Sequence, residues 1–245
     1  MLRAIDINCD VGEGIGNDKA LMPYITSANI ACGFHAGNGE TIRSTIELAK
    51  LYNVKIGAHP SFRDKEFFGR REINMPEDKL YAIVIEQIIK MDLIAREKGV
   101  KLHHVKPHGA LYNMAARDAK MAKIIAQTIK DFDDSLVIYG LSGSYLISEA
   151  QAMGLQTASE VFADRTYRDD GSLTPRSLPN ALITKEAESL HQVMQIVEQG
   201  TVTTLSGKII PIQAETICIH GDAKTAVSFA RVISNALHRK MMNNK

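Results

Sequence analysis

Short apolar runs alternate with longer amphipathic segments along the whole chain. The short runs are rich in Ile, Val, Ala and Cys and have the length of buried strands. They cover residues 4–9, 28–31, 55–58, 102–106, 136–139, 155–160 and 216–220. The longer segments repeat apolar residues at helical spacing and cover residues 40–52, 76–98, 115–130, 144–153, 184–199 and 222–238.

The segment 76–98 shows how the helix ends are marked. Pro76 stands near its start, acidic residues fill the first turn, and Gly99 follows its end. A strand, helix, strand order predicts a parallel sheet with helices outside. We expect an α/β fold of one domain over residues 1–245, because no Pro- or Ser-rich linker divides the chain.

Most of the short runs end in polar, glycine-rich sequence. Histidines close SANIACGFHAG, VKIGAHP, LHHVKPHGALYN and TICIHGD, whereas IDINCDVGEG ends in acids. Ligands bind at the carboxyl ends of strands in α/β proteins. Polar ends on most strands favour a closed (β/α) barrel of about seven repeats over an open sheet with a single crevice. The irregular segments 61–75 and 163–181 are then expected to be active-site loops.

Side chains alternate across a strand, so the polar residues of each run share a face. That face carries Asp6, Asn8 and Asp10; Gly57 and His59; His104, Lys106 and His108; and Thr216, Cys218 and His220. Ordinary barrel interiors are apolar, and an unpaired buried charge costs several kcal/mol. A polar interior therefore predicts a ligand site at the barrel mouth, the alternative being Asp and His side chains that satisfy one another.

Composition narrows the partners. The 245 residues are 45% hydrophobic and 23% charged, with a net charge of +1, so no strong field attracts nucleic acid or anionic lipid. No apolar run is long enough to span a bilayer, and the N-terminus lacks a signal-peptide stretch. We expect a cytoplasmic protein that binds neither membrane nor nucleic acid.

Three cysteines, Cys9, Cys32 and Cys218, form no CxxC pair. An odd count without such a pair disfavours a disulfide framework or a structural zinc site. The pattern predicts small buried residues, and a nucleophilic cysteine is the alternative.

The polar strand ends allow several chemistries. Asp10, His59 and His220 suit a transition metal, with His35 or Glu160 as a further ligand, but no HxH or HExxH spacing supports it. An intrinsic transition metal is thus an alternative rather than the expectation. The same residues suit general acid–base catalysis, because histidine titrates near neutrality.

Anion binding is the third possibility. Lys106 lies on the polar face, and Arg70, Arg71, Arg165 and Arg176 lie on the irregular segments. The glycine-rich residues 12–16 follow a strand and suit a phosphate nest, although a plain turn explains them equally. No GxGxxG or GxxxxGK[ST] motif is present.

Several long motifs identify a family. IDINCDVGEG, SANIACGFHAG, IGAHPSFRD, FFGRRE, HVKPHGALYN, EVFADRTY and ICIHGD resemble the LamB/YcsF family, understood as the A-type component of 5-oxoprolinase. The similarity runs from about residue 5 to about residue 235. It implies a distorted seven-stranded (β/α) barrel of the glycoside hydrolase/deacetylase type.

The resemblance also implies a function. Such proteins open the lactam 5-oxo-L-proline (pyroglutamate) to L-glutamate with ATP, as one component beside two others of B and C type, and Mg²⁺ is expected to accompany the ATP. The family's polar positions are Asp6, Asn8, Asp10, Glu13, Asn29, His35, His59, Arg70, Lys106, His108, Glu160, Asp164, Arg165, Arg176, His220 and Asp222.

Lactam opening needs a base for water, donors for the developing charge and a clamp for the substrate's carboxylate. We assign Asp10 and His59 as base and orienter, His220 as acid or electrophilic donor, and Lys106 with Arg165 or Arg176 to carboxylate or phosphate. Two other functions remain open: a metal-dependent deacetylase or amidohydrolase acting alone, and a non-catalytic protein that binds a small acid for its partners.

Overall fold

Parallel strands and outer helices alternate through the computed structural model, which describes residues 5–243. The strands are β1 (Asp6–Val11), β2 (Ser27–Ala31), β3 (Lys55–His59), β4 (His104–Val105), β5 (Val137–Leu141), β6 (Thr157–Phe162), β7 (Thr201–Thr203), β8 (Ile209–Pro211) and β9 (Thr216–His220). All except β7 and β8 form a closed parallel barrel, in which β9 pairs with both β6 and β1.

Helices surround the barrel. They are α1 (Asp18–Leu21), α2 (Gly39–Leu51), α3 (Glu77–Glu97), α4 (Gly109–Arg117), α5 (Ala119–Phe132), α6 (Tyr145–Ala152), α7 (Glu186–Gln199) and α8 (Ala226–Asn243). Outward-facing strand residues such as Cys9, Ile217 and Ile219 are fully buried within the hydrophobic core that the helices cover. Between residues 5 and 243, no helix combines the length and apolar character needed to cross a membrane.

The structure confirms the predicted barrel and changes several boundaries. The predicted helix 115–130 is two helices, because Asp118 takes an extended conformation and its side chain caps α5 by accepting from Lys120 N and Met121 N. The predicted helix 222–238 begins four residues later, at Ala226. The β7–β8 hairpin was not predicted, and Ala4, the predicted start of β1, lies outside the described residues.

The β4 strand is the distortion in the barrel. It has two residues instead of the predicted five, and Pro107, which has no backbone N–H, follows close behind it. The neighbouring β3 carries Gly57, where a Cβ would occupy the space of the His104 ring. A glycine here lets an imidazole lie across the barrel interior.

Candidate active site

Lys106 stands at the centre of the polar interior. It follows β4, and its Nζ lies 2.9 Å from Asp10 Oδ1 and 2.9 Å from Glu160 Oε1. The same ammonium donates to Cys218 Sγ at 3.0 Å. Burial alone would lower the pKa of Lys106, but Asp10, Cys218 and Glu160 together hold it well above its usual value.

The Asp10 carboxylate has several close polar partners. Besides Lys106, Asn29 Nδ2 donates to its Oδ1 at 2.8 Å, and His59 Nε2 lies 3.4 Å from its Oδ2. Burial alone would raise the pKa of this carboxyl, yet His59 in its protonated form and the charge of Lys106 hold it well below its usual range. A carboxylate so strongly stabilised in its ionised form is a weak proton acceptor.

Glu160, in contrast, is incompletely satisfied. Its only close charged partner among the described residues is Lys106, and neither carboxylate oxygen receives a well-aligned hydrogen bond from them. The buried hydroxyl of Tyr112 on α4 also lacks an aligned partner there. Burial, and then the nearby Glu160, raise the pKa of Tyr112. Tyr112 belongs to the HVKPHGALYN motif and was not among the predicted site residues.

Side-chain amides form a series of hydrogen bonds in the layer of the barrel interior below Lys106 and Asp10. Asn8 Nδ2 donates to Thr216 Oγ1 at 2.7 Å, and Asn29 Nδ2 donates to Asn8 Oδ1 at 2.7 Å. The imidazole of His104 bonds to Asn29 Oδ1 at 2.8 Å through Nε2, which must carry the proton because an amide oxygen only accepts. Burial lowers the pKa of His104 well below its usual value.

Asp6 lies away from the predicted site. It begins β1 at the amino end of the barrel, where its carboxylate accepts hydroxyl hydrogen bonds from Thr26, Ser27, Tyr139 and Thr216. The strand alternation that places Asp6 on the same face as Asp10 is correct, but the two residues occupy opposite ends of that face. Asp6 is therefore a structural residue of the barrel.

Four side chains from successive strand ends form a cluster at the mouth, which we call the imidazole cluster: Glu13 after β1, His35 after β2, His59 at the end of β3 and His108 after β4. The rings of His35 and His108 stack in parallel with centroids 3.7 Å apart. Burial lowers the pKa of both rings, and it raises that of Glu13, together with the charges of Asp10 and Asp222.

His220 and Asp164 form a second pair on the other side of the mouth. His220 Nδ1 lies 2.9 Å from both Asp164 oxygens, and the His220 backbone N–H donates to Oδ2 at 3.1 Å. The carboxylate therefore fixes the proton on Nδ1. Burial alone would raise the pKa of Asp164, but His220 lowers it. This pairing leaves His220 Nε2 without a described hydrogen-bond partner, and His220 lines the cavity.

A cavity of about 650 Å³ opens above these groups. Its floor includes Asp10, His59, Lys106 and His220, and its cationic walls are Arg70, Arg117, Arg165, Arg168 and Arg176. This volume lies within the range of small-molecule sites. The predicted loops 61–75 and 163–181 contribute Arg70, Arg165 and Arg176 to it, as expected of active-site loops.

The arginines that line the cavity differ in their hydrogen-bond and ion-pair partners. Arg165 is buried and donates to Ala181 O and Thr174 O, so it holds the loop 163–181 together. Burial, then the neighbouring Arg176, lowers its pKa to about 10. Arg70 pairs with Asp222 at 2.6 Å. Arg176 makes no ion pair with the described residues and is half-buried, which leaves its guanidinium for an anionic ligand.

Apart from Asp6, the structure places the predicted site residues at or just below the carboxyl end of the barrel. These are Asn8, Asp10, Glu13, Asn29, His35, His59, Arg70, Lys106, His108, Glu160, Asp164, Arg165, Arg176, His220 and Asp222.

The structure also bears on three other sites considered from the sequence: a nucleophilic cysteine, a phosphate nest and a metal site. All three cysteines are buried, and burial raises the pKa of each thiol, to about 12 for Cys32, which supports a packing role. The first backbone amide of the predicted phosphate nest is already engaged, because Gly12 N donates to Asp18 Oδ2 at 2.9 Å. The predicted metal ligands fall into two adjacent groups: His59 lies with Glu13, His35 and His108, and Asp10 and His220 lie with Cys218, although Asp10 Oδ2 and His59 Nε2 are 3.4 Å apart.

Comparisons with known proteins agree with this architecture. The sequence profile of the LamB/YcsF family matches residues 5–245. An A-type component of 5-oxoprolinase from Bordetella pertussis is 50% identical over 244 residues, covering 98% of this chain and 97% of that protein. Another, from Shouchella clausii, is 52% identical over 243 residues, covering 97% and 96%.

Solved structures share this fold. The lactam utilization protein from Thermus thermophilus superposes with a TM-score of 0.90 at 39% identity, covering 97% of each chain. A GH113 β-1,4-mannanase, at 14% identity, a TM-score of 0.51 and coverage of 96% of this chain and 99% of that one, shares the fold alone. The chain belongs to the LamB/YcsF family.

Proposed function

We propose that this protein is the A-type component of a multi-component 5-oxoprolinase and that its cavity opens 5-oxo-L-proline to L-glutamate with ATP hydrolysis. Two further components, of B and C type, complete the enzyme, which we place in the cytoplasm. Relatives of this chain at about half identity carry that component's name. The observation that carries the proposal is the cavity itself, in which arginines face an acid–base floor.

The chemistry explains why such a cavity suits a lactam. The amide carbon is a poor electrophile, so the γ-phosphoryl group of ATP is transferred to the lactam oxygen and ADP leaves. Water then adds to the ring carbon and gives up a proton. The C–N bond breaks as the nitrogen takes a proton, which leaves a γ-carboxyl phosphate. A second water hydrolyses this phosphate to glutamate and inorganic phosphate.

His220 suits the proton-transfer role best. Asp164 holds its Nδ1–H, so Nε2 is the basic atom, and the ring lines the cavity. Asp10, the base expected from sequence, has a pKa well below its usual range and is engaged by Lys106 and Asn29. We therefore assign proton transfer to His220 and give Asp10 the task of holding Lys106 and the His59 ring.

Anion binding falls to the cationic wall. Arg176 has no ion-pair partner among the described residues, so it suits the substrate carboxylate, while Arg70 beside Asp222 suits phosphate oxygens. The sequence has no standard ATP-binding motif. We propose that the partner components complete the nucleotide site, with Mg²⁺ arriving bound to ATP. Lys106 donates to protein groups and supplies positive charge at the cavity floor.

The test is ATP-dependent glutamate release from 5-oxoproline, measured with and without candidate B- and C-type components. We expect turnover only when this chain, both partners and ATP are present. His220→Ala should reduce turnover at least about a hundredfold, the lower end of what an acid–base group contributes. Lys106→Ala and His59→Ala should each have an effect of about the same size, because they remove the charge and the ring that Asp10 holds at the cavity floor. His191→Ala, on the exposed face of α7, is the matched control and should retain full turnover.

Other outcomes would favour the alternatives. Glutamate release by the partners without this chain, or full turnover by all three alanine variants, contradicts the proposal. Amide hydrolysis by this chain alone, without ATP, would identify it as an independent amidohydrolase. Binding of 5-oxoproline with no turnover in the complete mixture would identify a non-catalytic binding component.

A further inference from the structure

Backbone carbonyls fix the proton positions on two rings of the imidazole cluster. His59 Nδ1 lies 2.7 Å from Lys106 O, and His108 Nε2 lies 2.9 Å from Phe68 O. A carbonyl oxygen can only accept, so each of these nitrogens must carry a proton. In the neutral rings, the other nitrogens, His59 Nε2 and His108 Nδ1, therefore carry lone pairs.

Those two lone-pair atoms lie 2.9 Å apart. Two acceptors at this distance repel each other unless a proton or a metal ion lies between or beside them. Asp10 Oδ2, at 3.4 Å from His59 Nε2, is a further acceptor, and a carboxyl oxygen of Glu13, Oε1, lies 3.9 Å from His108 Nδ1. Lone pairs therefore meet at the centre of the cluster, and a positive charge there would relieve their repulsion.

His35 distinguishes between two explanations of this contact, a bound metal ion and a proton shared by His59 and His108. Both of its ring nitrogens are buried and have no hydrogen-bond partner among residues 5–243, and its side chain is 0% exposed. Its Nε2 lies 3.6 Å from Glu13 Oε1. A proton shared by His59 and His108 would leave both His35 nitrogens unsatisfied, whereas a metal ion could also bind one of them once the His35 ring turns out of its stack on His108.

The spacing fits a metal centre. Around an ion at about 2.1 Å from its ligands, tetrahedral ligand atoms lie about 3.4 Å apart. The observed separations of 2.9 Å between His59 and His108, 3.6 Å between His35 and Glu13 and 3.9 Å between His108 and Glu13 bracket that value. All four ligand atoms lie within 4.8 Å of one another.

The loop 61–75 closes over the cluster. Phe68 has a φ of 55°, a left-handed conformation that is costly for a bulky residue, and its ring contacts both His35 and His108 edge-on. At Gly69, with φ of 65°, a Cβ would collide with Ser61 and approach His35 and His108 closely. Strain of this kind is typical of functional sites, where it positions a group: here, the Phe68 carbonyl that orients His108.

We propose that Glu13, His35, His59 and His108 bind one divalent first-row transition metal ion, with Asp10 as a neighbouring carboxylate. Three imidazoles and one carboxylate suit Zn²⁺, Fe²⁺, Mn²⁺ or Co²⁺ rather than Mg²⁺ or Ca²⁺. The backbone carbonyls behind His59 and His108 are the outer partners that metal-bound histidines have. The proposal rests on these contacts alone and is independent of the lactam reaction.

Cobalt titration of the full chain tests it. The protein is stripped with a chelator, titrated with Co²⁺ and followed by visible absorption, then competed with Zn²⁺. We expect one Co²⁺ per chain with the d–d bands of a nitrogen-rich site, and a higher melting temperature with Zn²⁺. His35→Ala and His108→Ala should weaken binding at least about tenfold, the least that losing even an outer partner costs.

Two further variants complete the design. Glu13→Gln keeps the shape of the side chain and removes its charge, so it should fold even where a histidine variant does not, and it should also weaken Co²⁺ binding. His191→Ala removes an exposed histidine on α7 and should bind Co²⁺ like the original chain. The proposal is overturned if the stripped protein gives no stoichiometric Co²⁺ spectrum, or if folded Glu13→Gln and His35→Ala bind Co²⁺ unchanged.

Discussion

The two ends of the barrel interior both bury a carboxylate, but they satisfy it differently. At the amino end, Asp6 accepts from four neutral hydroxyl groups, those of Thr26, Ser27, Tyr139 and Thr216. At the carboxyl end, Asp10 shares an ammonium with Glu160, while His35 and Glu160 keep polar atoms without aligned partners among the described residues.

The difference separates structural from functional polarity. A network of hydroxyl donors occupies both oxygens of one carboxylate and needs nothing else, so it stabilises the folded chain. Unpartnered buried atoms cost free energy and are found where a ligand, ion or water completes the bonds. We conclude that the polar groups of the amino end serve stability alone, whereas those of the carboxyl end also provide binding and chemistry.

Removing the charge of Lys106 should have the largest effect. Lys106→Met leaves Asp10 and Glu160 facing each other without their cation, and breaking a buried pair costs about 3–5 kcal/mol. We expect that loss in the free energy of unfolding by urea denaturation, and turnover of the complete enzyme reduced at least about a hundredfold.

The matched control for Lys106→Met is Lys130→Met. Lys130 is exposed on α5, where its Nζ donates to Met153 O, and we expect this variant to lose less than about 1 kcal/mol. Equal losses from the two variants would contradict the distinction between the barrel interior and its surface.

A second pair of variants compares the two ends directly. Asp10→Asn should reduce turnover at least about tenfold while Lys106 keeps Glu160 as a partner. Asp6→Asn should leave turnover per folded molecule unchanged and reduce the free energy of unfolding by about 1–3 kcal/mol, because hydroxyl groups lose an ionised acceptor. The comparison fails if Asp6→Asn impairs turnover more than Asp10→Asn does.

The barrel is predictable from the sequence because hydrophobic period and element order are local signals. Alternating polar residues on β1, β3 and β9 predict which side chains face inward, and the register of Asp10 with Asn29 and His220 brings them to one height. The break at Asp118 was missed, since its capping role depends on a backbone conformation that helical spacing does not reveal.

The site was harder to predict than the fold. Alternation assigns a residue to a face but not to a depth along it, so it groups Asp6 with Asp10, and only their order along β1 separates the two ends. The carbonyls of Lys106 and Phe68 that orient His59 and His108 have no sequence signature, because any residue supplies a carbonyl. Tyr112 was missed because its approach to Glu160 depends on how α4 packs.

Acid should reveal the structural role of His104. Its pKa is lowered in the folded state, so below pH about 6.5 the unfolded chain takes up a proton that the folded chain refuses. Stability therefore falls as the pH drops, by up to about 1.4 kcal/mol per pH unit from this group. His104→Gln keeps a donor for Asn29 Oδ1 and should flatten the slope by about 1 kcal/mol between pH 6.5 and 5.5, where the unfolded imidazole is only partly protonated.

Urea denaturation at several pH values, in the presence of chelator, measures this slope. His191→Gln is the control, because it replaces an exposed histidine on α7 and should leave the slope as it is. If His104→Gln has the original slope, then His104 is not held neutral at the level of Asn29. The structural assignment of the layer below Asp10 would then have to be abandoned.

The smallest effect should come from the rim of the cavity. Arg70 and Asp222 form an ion pair at 2.6 Å, but their side chains are 36% and 21% exposed, and a solvent-accessible pair of this kind contributes about 0–1 kcal/mol. Asp222→Asn should therefore leave the free energy of unfolding nearly unchanged. The substitution frees the Arg70 guanidinium for an anionic ligand. The KM for 5-oxoproline or ATP should therefore fall by about two- to threefold at low salt. This decrease should become smaller at higher salt, because salt screens the attraction between Arg70 and the ligand. A stability loss as large as that of Asp6→Asn would show that the rim, too, is structural, and the division between the two ends of the barrel would no longer hold.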